Sequence, residues 1–157
     1  RLSRCLSLQV YYAWIISESH PKDILNHLKN LTFDEIEEIL SINENFDDEN
    51  LVISKDIIEY AFKLIESTIS KCDEIDIFIE SKLKNWDLKR IALIDKLILR
   101  LSINEMYYFD DVPPKVSIVE GVEIAKIFGN NQSSAFVNGV LDSIYNDYKK
   151  NNRLKIS

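Results

Sequence analysis

The sequence is poor in the residues that make turns, with three glycines and three prolines among 157 residues. β-Sandwiches, collagen-like chains and disordered tails all need many such residues, so this composition argues against each of them. Hydrophobic residues make up 46% of the chain, enough for a sizeable core in one domain or in two fused subdomains. No apolar run approaches the roughly 20 residues that cross a bilayer, and no signal-peptide pattern opens the chain.

Residues that bind metals or carry catalysis are also scarce. Cys5 and Cys72 make no disulfide framework and are typical of a protein of the reducing cytoplasm. His20 and His27 have no cysteine or carboxylate partner at metal-ligand spacing, and the chain lacks a glycine-rich phosphate loop and a nucleophile elbow. The carboxylates lie in solvated runs and not as the isolated pair that acid–base catalysis needs. We therefore expect no catalytic site, no metal and no cofactor, and a protein that is not an enzyme.

The net charge of −7 is unevenly distributed along the chain. Eight of the 26 acids lie in residues 31–54, which hold no lysine or arginine, and this leaves 18 acids against 19 basic residues elsewhere. Both ends are basic, since Arg1 and Arg4 precede the first acid and four cations follow the last one. Exposed charges act over a Debye length of about 8–10 Å, so a local patch matters more to a polyanion than the total. The charge permits RNA binding without indicating it, and we interpret the acidic run as a solvated face.

Apolar residues recur at helical spacing almost throughout, and no strand alternation of useful length is present, which predicts an all-α fold. A first helix is expected to end at His20-Pro21, with a short helix over 21–30. A capping box at Thr32 and Glu35 predicts a helix over 33–42, and Ser54 is expected to cap the next one. A further helix is expected to start at Asp73 or Asp76 and to end near Asn85, and Asp87 is expected to cap a long helix that is followed by a break at Asp110–Pro114. Two helices follow this break: the first is expected to stop at Gly129–Asn131, and the second to be capped by Ser133 or Ser134.

A few residues break the amphipathic pattern. Gln9 and Glu105 lie in apolar stripes, and we favour a satisfied structural hydrogen bond for each over a ligand contact. Gly121 and Gly139 lie inside strong helices at a cost of about 1 kcal/mol each, which indicates close approach of a neighbouring helix or a ligand. Phe136 follows a polar loop, where an aromatic is usually core but is also placed to stack on a base.

Several segments share their order and spacing with one known family. The most specific of them is Phe136-Val137-Asn138-Gly139-Val140-Leu141-Asp142. The others are Arg4, Leu8-Gln9, Tyr12 and Trp14 in the first helix, then Trp86–Arg90, Asp95–Leu101, Asn104-Glu105, Val112–Ile118, Glu120 and Glu123–Lys126. On these residues the chain resembles the NusB family of bacterial transcription antitermination factors.

The resemblance implies an all-helical bundle of seven to eight helices in two packed subdomains, at about residues 1–84 and 85–150. It also implies that the protein binds single-stranded boxA-type RNA of ribosomal RNA transcripts together with NusE, a small-subunit ribosomal protein. In the family that complex joins NusA, NusG and RNA polymerase, so that transcription runs past terminators. Some family members pair with themselves, which makes a homodimer one further implication.

The resemblance assigns RNA binding to the first helix and to the loop before the last helix. The residues at those positions are Arg1, Arg4, Lys126, Gln132, Ser133 and Phe136, and the long helix with Asp95 and Lys96 is assigned to the NusE-like partner. Two arginines on one side of a helix suit phosphates, and an aromatic beside a loop suits unpaired bases. Two alternatives stay open: an RNA-binding domain of a ribosomal RNA cytosine methyltransferase, and a helical protein–protein adaptor without RNA contact.

Overall fold

Seven α helices make up most of the chain that the computed structural model describes, which is residues 1–32, 34–36, 38, 54–84 and 88–156. In chain order they are α1 (Leu2–Ile16), α2 (Pro21–Lys29), α3 (Lys55–Ser70), α4 (Cys72–Glu80), α5 (Leu93–Tyr108), α6 (Pro114–Phe128) and α7 (Ser133–Ile156), with a short 3-10 helix at Leu88–Arg90. Residues 34–36 and 38 are also helical, and no strand occurs in these ranges. The all-α prediction is confirmed. None of the helices in the described ranges has both the length and the apolarity needed to cross a lipid bilayer.

The chain divides into two units, Arg1–Ser70 and Lys71–Ser157. The sequence places the boundary between subdomains later, at about residue 84. The difference arises from α4, which packs against α5 and therefore belongs to the second unit. A boundary set by packing between helices leaves no local signature in the sequence.

The first unit is built on α3, which packs against both α1 and α2. Its core contains apolar side chains from each of these helices and from the helical residues near 36: Leu6, Val10, Leu28, Ile36, Ile58, Ala61 and Ile65. Burying a leucine or isoleucine side chain contributes about 1.5–3 kcal/mol, so this cluster is the main source of stability in the unit. The Ser7 hydroxyl on α1 adds a hydrogen bond of 3.2 Å to the carbonyl of Ala61 on α3.

Local capping explains several helix starts of the first unit. The capping box is confirmed, because the Thr32 amide donates to Glu35 Oε2 at 2.7 Å and the Glu35 amide donates to Thr32 Oγ1 at 3.3 Å. The bonds that the Thr32 amide and hydroxyl donate to the Glu35 carboxylate lower its pKa. Ser54 caps α3 as predicted, since its hydroxyl accepts from the Ile57 amide. His20 caps α2 through Nδ1, which accepts from the Lys22 amide at 3.2 Å.

The second unit is built on three long helices, since α5, α6 and α7 each pack against the other two. The central helix is α5, in which ten of sixteen residues are buried. Gly121 explains the close approach of these helices, because a Cβ atom there would lie 2.6 Å from Ser102 Oγ and 3.1 Å from a methyl carbon of Leu141. The predicted role of Gly121 in helix contact is thereby confirmed, and three helices meet at one small residue.

Some predicted boundaries in the second unit are wrong. Helix α4 ends at Glu80 and not near Asn85, which lies outside the described residues. The long helix begins at Leu93, because the 3-10 helix and an extended Ala92 with ψ of 136° interrupt the chain before it. Asp87 also lies outside the described residues, as does most of the acidic run 31–54. Periodic apolar residues therefore located this helix but not its first turn.

Candidate nucleic-acid interface

A short loop between α6 and α7 shapes one edge of the candidate site. Helix α6 ends at Gly129, whose amide donates to the Ala125 carbonyl at 2.9 Å. The Asn130 side chain then accepts from the Gln132 amide at 2.8 Å, and the Ser133 hydroxyl accepts from the Asn130 amide at 3.0 Å. These side chains satisfy backbone donors that would otherwise need water or a ligand. The loop therefore has a defined shape without a ligand.

Ser133 differs from its predicted role as a helix cap. It is the first residue of α7, and its hydroxyl accepts from the preceding Asn130 and not from an amide of the helix. The carbonyl of Gln132 accepts the first bond of the helix, from the Phe136 amide at 3.1 Å. Ser133 is also fully buried, so its side chain is not presented at the surface.

A groove of about 510 Å³ opens beside this loop. It is lined by the loop and α7 on one side and by residues before and within α5 on the other: Lys82, Leu83, Lys84, Arg90, Ile91, Ala92, Asp95, Asn130, Gln132 and Phe136. Gln132 is exposed and Phe136 is half-buried, and both line the groove. The structure thus brings Gln132 and Phe136 together at one groove.

The charges in the groove come mainly from residues that the sequence did not single out as site residues. Lys84 and Arg90 are exposed, and Lys82 forms an ion pair with Asp147 of α7. They are more than 40 residues from Gln132 in the chain, so only the packing of the second unit brings them to the groove. The cluster of basic residues around Trp86 in the sequence is a signal that could have found them.

Asp95 lies on the groove and not on an open helix surface. It stands at the third position of α5, only 6% exposed, and its Oδ1 atom is buried without a hydrogen-bond donor among the described residues. The positive end of the helix dipole stabilises a carboxylate at this position. A buried oxygen without a hydrogen bond, however, lowers the free energy of unfolding by about 1–3 kcal/mol. Asp95 lines the groove, while its Oδ1 atom is itself buried. Lys96, the next residue, is half-buried and does not line the groove.

Lys126 lies near the end of α6, outside the lining of the groove. Its ammonium forms a hydrogen-bonded ion pair of 2.9 Å with Glu123 one turn earlier, and both side chains are substantially exposed. Exposed pairs of this kind contribute little to stability and exchange readily with other ions. Lys126 thus remains able to contact a phosphate.

Arg1 and Arg4 belong to the first unit, at the start of α1. Arg1 is exposed at the N-cap position, and the half-buried Arg4 guanidinium lies 5.7 Å from the centre of the Tyr60 ring on α3. An aromatic ring beside a guanidinium attracts and orients it. The start of α1 therefore carries two cations that differ in burial, Arg1 exposed and Arg4 half-buried.

The fold and the site define the class of this protein. Its described part is an all-helical protein that carries a polar loop and an aromatic residue at the start of its last helix, α7. The sequence profile described as the NusB family matches residues 1–146. The chain belongs to the NusB family.

Relatives and a solved structure agree with this assignment. The transcription antitermination protein NusB of Clostridium tetani is 35% identical over 144 residues, covering 90% of this chain and 94% of that protein. The protein of the same name from Chloroherpeton thalassium is 46% identical over 104 residues, covering 62% of this chain. The match spans about half the length of this second relative, 49%. Neither relative is named as an enzyme, as expected from the sequence.

The solved structure is a crystal structure of the antitermination factors NusB and NusE in complex with double-stranded RNA. It matches with a TM-score of 0.70 at 25% identity, covering 94% of this chain and 96% of that chain. The likeness extends over both units, each of which therefore has a counterpart in that structure.

Proposed function

We propose that this protein is a transcription antitermination factor that binds single-stranded boxA-type RNA of ribosomal RNA transcripts together with the ribosomal protein NusE. The observation that carries the proposal is the groove at the α6–α7 loop, where an aromatic ring, cations and polar side chains converge. Single-stranded RNA offers unstacked bases to rings and phosphates to cations, so this combination fits it. The relatives' name supports a role in antitermination, and the crystal structure of NusB and NusE with double-stranded RNA supports binding of RNA and NusE.

Phe136 and Gln132 are the proposed base contacts. The half-buried Phe136 ring lines the groove and would stack on a base there, and such stacking contributes about 1–3 kcal/mol per base. The exposed side-chain amide of Gln132 has both a hydrogen-bond donor and an acceptor for a base edge. Since Ser133 is buried, we propose that it acts by shaping the loop and not by touching RNA.

Asp95 is proposed as a base acceptor, because it lines the same groove as Phe136. An amino or imino group of a base in the groove would donate to the Asp95 carboxylate. We therefore assign Asp95 to the proposed RNA-binding site and not to the proposed NusE-binding surface. On α5, Lys96 remains the residue proposed to bind NusE. A carboxylate repels phosphates, so Asp95 favours contact with a base over contact with the sugar–phosphate backbone of the RNA.

Arg1, Arg4 and Lys126 are proposed as phosphate contacts, together with the groove cations Lys84 and Arg90. They offset locally the net charge of −7, which would otherwise repel a polyanion. A small number of such contacts gives weak binding, and a second protein that extends the RNA-binding surface would raise the affinity through linked contacts. This reasoning supports a requirement for NusE, after which the complex would join NusA, NusG and RNA polymerase in the cytoplasm.

The test is fluorescence anisotropy with a labelled boxA-type RNA, a scrambled strand of the same composition and a duplex of the boxA sequence. Each is titrated with the protein alone and with purified NusE, at about 50 mM and about 200 mM salt. We expect the pair to prefer the boxA strand and to lose affinity as salt rises. Equal affinity of the pair for the boxA and scrambled strands would contradict the proposed function, and binding only to NusE would favour the protein–protein adaptor.

A further inference from the structure

We infer that Gly129 and Ser133 are positioning residues that hold Gln132 and Phe136 in the geometry needed for RNA. The inference rests on the proposed RNA function of the groove and assigns a role to two residues that themselves touch no RNA. They lie at the two ends of the α6–α7 loop and close to one another, Ser133 fully buried and Gly129 half-buried.

Gly129 is required by the space around it and not by its backbone angles. Its φ of −88° and ψ of −172° are extended values that any residue adopts. A Cβ atom at this position, however, would lie 2.4 Å from both Cβ and Oγ of Ser133 and 2.7 Å from the Ala125 carbonyl oxygen. The two ends of the loop therefore approach more closely than any side chain at residue 129 allows.

Ser133 closes the loop with two reciprocal hydrogen bonds to Asn130. Its hydroxyl accepts from the Asn130 amide at 3.0 Å, and its own amide donates to the Asn130 carbonyl at 3.1 Å. The Ser133 side chain is fully buried, so its end of these bonds is shielded from water. The pair fixes the four-residue turn from 130 to 133.

The turn transmits this constraint to the proposed base contacts. The Asn130 side chain accepts from the Gln132 amide, and the Gln132 carbonyl accepts from the Phe136 amide at the start of α7. Gln132 and Phe136 are thus held by the residues that Ser133 fixes. Loss of the Ser133 hydroxyl leaves the Asn130 amide without its acceptor, and the loop gains freedom that RNA binding must remove.

The experiment is a double-mutant cycle on the full chain with its NusE partner, using Ser133→Ala, Phe136→Ala and the double variant. Affinity for the boxA-type strand is measured by anisotropy, and exchange of the Asn130 amide is measured by NMR without RNA. Ser134→Ala is the matched control, because this neighbouring serine is half-buried and lies on the same helical turn. Ser117→Ala controls for loss of a buried serine hydrogen bond away from the loop.

Ser133→Ala is expected to weaken RNA binding by about 2- to 10-fold, as for loss of one hydrogen bond, and to speed exchange of the Asn130 amide. The two control variants should leave both readings unchanged. The double variant should lose less affinity than the sum of the two single losses, because Ser133 acts in part through the ring. Gly129→Ala should reproduce the effect of Ser133→Ala or exceed it, since the new methyl group displaces Ser133.

Additive losses in the cycle, or an Asn130 amide that exchanges at the same rate in Ser133→Ala and in the parent protein, would overturn the inference. An unchanged affinity of Phe136→Ala would instead contradict the proposed RNA site, and the RNA role of Ser133 would be lost with it. The exchange measurement separates these results, since it reports the loop itself in the absence of RNA.

Discussion

Ser117 on α6 donates a hydrogen bond of 2.8 Å to Oε1 of Glu105 on α5, and both side chains are almost completely buried. The pair joins two helices that the Pro113–Pro114 turn connects, so it fixes their relative position inside the second unit. A buried carboxylate is tolerated only when donors surround it. Glu105 thus has the satisfied structural bond that its place in an apolar stripe predicts.

Ser117→Ala is expected to lower the free energy of unfolding by about 1–3 kcal/mol, because it leaves a buried carboxylate oxygen without this donor. Urea unfolding followed by circular dichroism measures the change. Ser134→Ala removes a hydroxyl at a half-buried position and should change stability by less than about 0.5 kcal/mol. A stability equal to that of the parent protein would show that the Glu105 carboxylate does not depend on Ser117.

The two glycines inside helices are expected to respond oppositely to alanine. At Gly139 a Cβ atom meets no atom of the described chain within 4 Å, so Gly139→Ala should stabilise by about 0.5–1 kcal/mol through helix propensity. At Gly121 the new methyl group would press on Ser102, and Gly121→Ala should destabilise by roughly 1–3 kcal/mol. Thermal unfolding of the two variants, side by side, checks the opposite signs.

The helices that the sequence predicts well are those whose ends are fixed locally. The capping box at Thr32 and Glu35 depends on residues three apart, and short-range spacing is visible in a sequence. The start of α5 at Leu93 was missed because the apolar pattern continues through Ile91, while the backbone takes a 3-10 turn and then an extended step. Gly139 is also unexplained by packing, since the predicted close neighbour is absent from the described chain.

The candidate site was predictable only in part. Gln132 and Phe136 were singled out through the family resemblance, and both line the groove. Arg90 and Lys84 were missed as site residues because their proximity depends on how α4 and α5 pack. Ser133 was assigned a surface contact, yet a small polar residue gives no sequence signal of its burial.

Arg4 and Phe136 should affect RNA binding in different ways. Arg4→Ala removes one phosphate contact, so affinity should fall for all strands and the slope of log affinity against log salt should decrease by about 0.7. Phe136→Ala removes stacking worth about 1–3 kcal/mol and should leave the slope unchanged. Arg4→Lys keeps the charge and should retain the parent slope. Identical slopes for Arg4→Ala and the parent protein would remove Arg4 from the site.

Tyr108 should make stability sensitive to alkaline pH. Burial and a hydrogen bond to Glu74 raise its pKa to about 12 in the folded protein. The unfolded residue ionises near about pH 10, so the folded state holds its proton longer and stability falls as pH rises from about 10 to about 12. Tyr108→Phe should reduce this loss in urea unfolding across that range, whereas Tyr12→Phe, at an exposed position on α1, should preserve it.

Asp95 is expected to show opposite effects on stability and on RNA binding. Asp95→Asn replaces a buried charge whose Oδ1 has no donor among the described residues, so the free energy of unfolding should rise by roughly 1 kcal/mol even after the helix-dipole contribution is lost. RNA affinity should fall, because the amide offers one acceptor oxygen in place of two. Asp142→Asn, at an exposed position on α7, should alter neither quantity. An Asp95→Asn variant that is less stable and binds RNA as well as the parent protein would show that the carboxylate serves the fold alone.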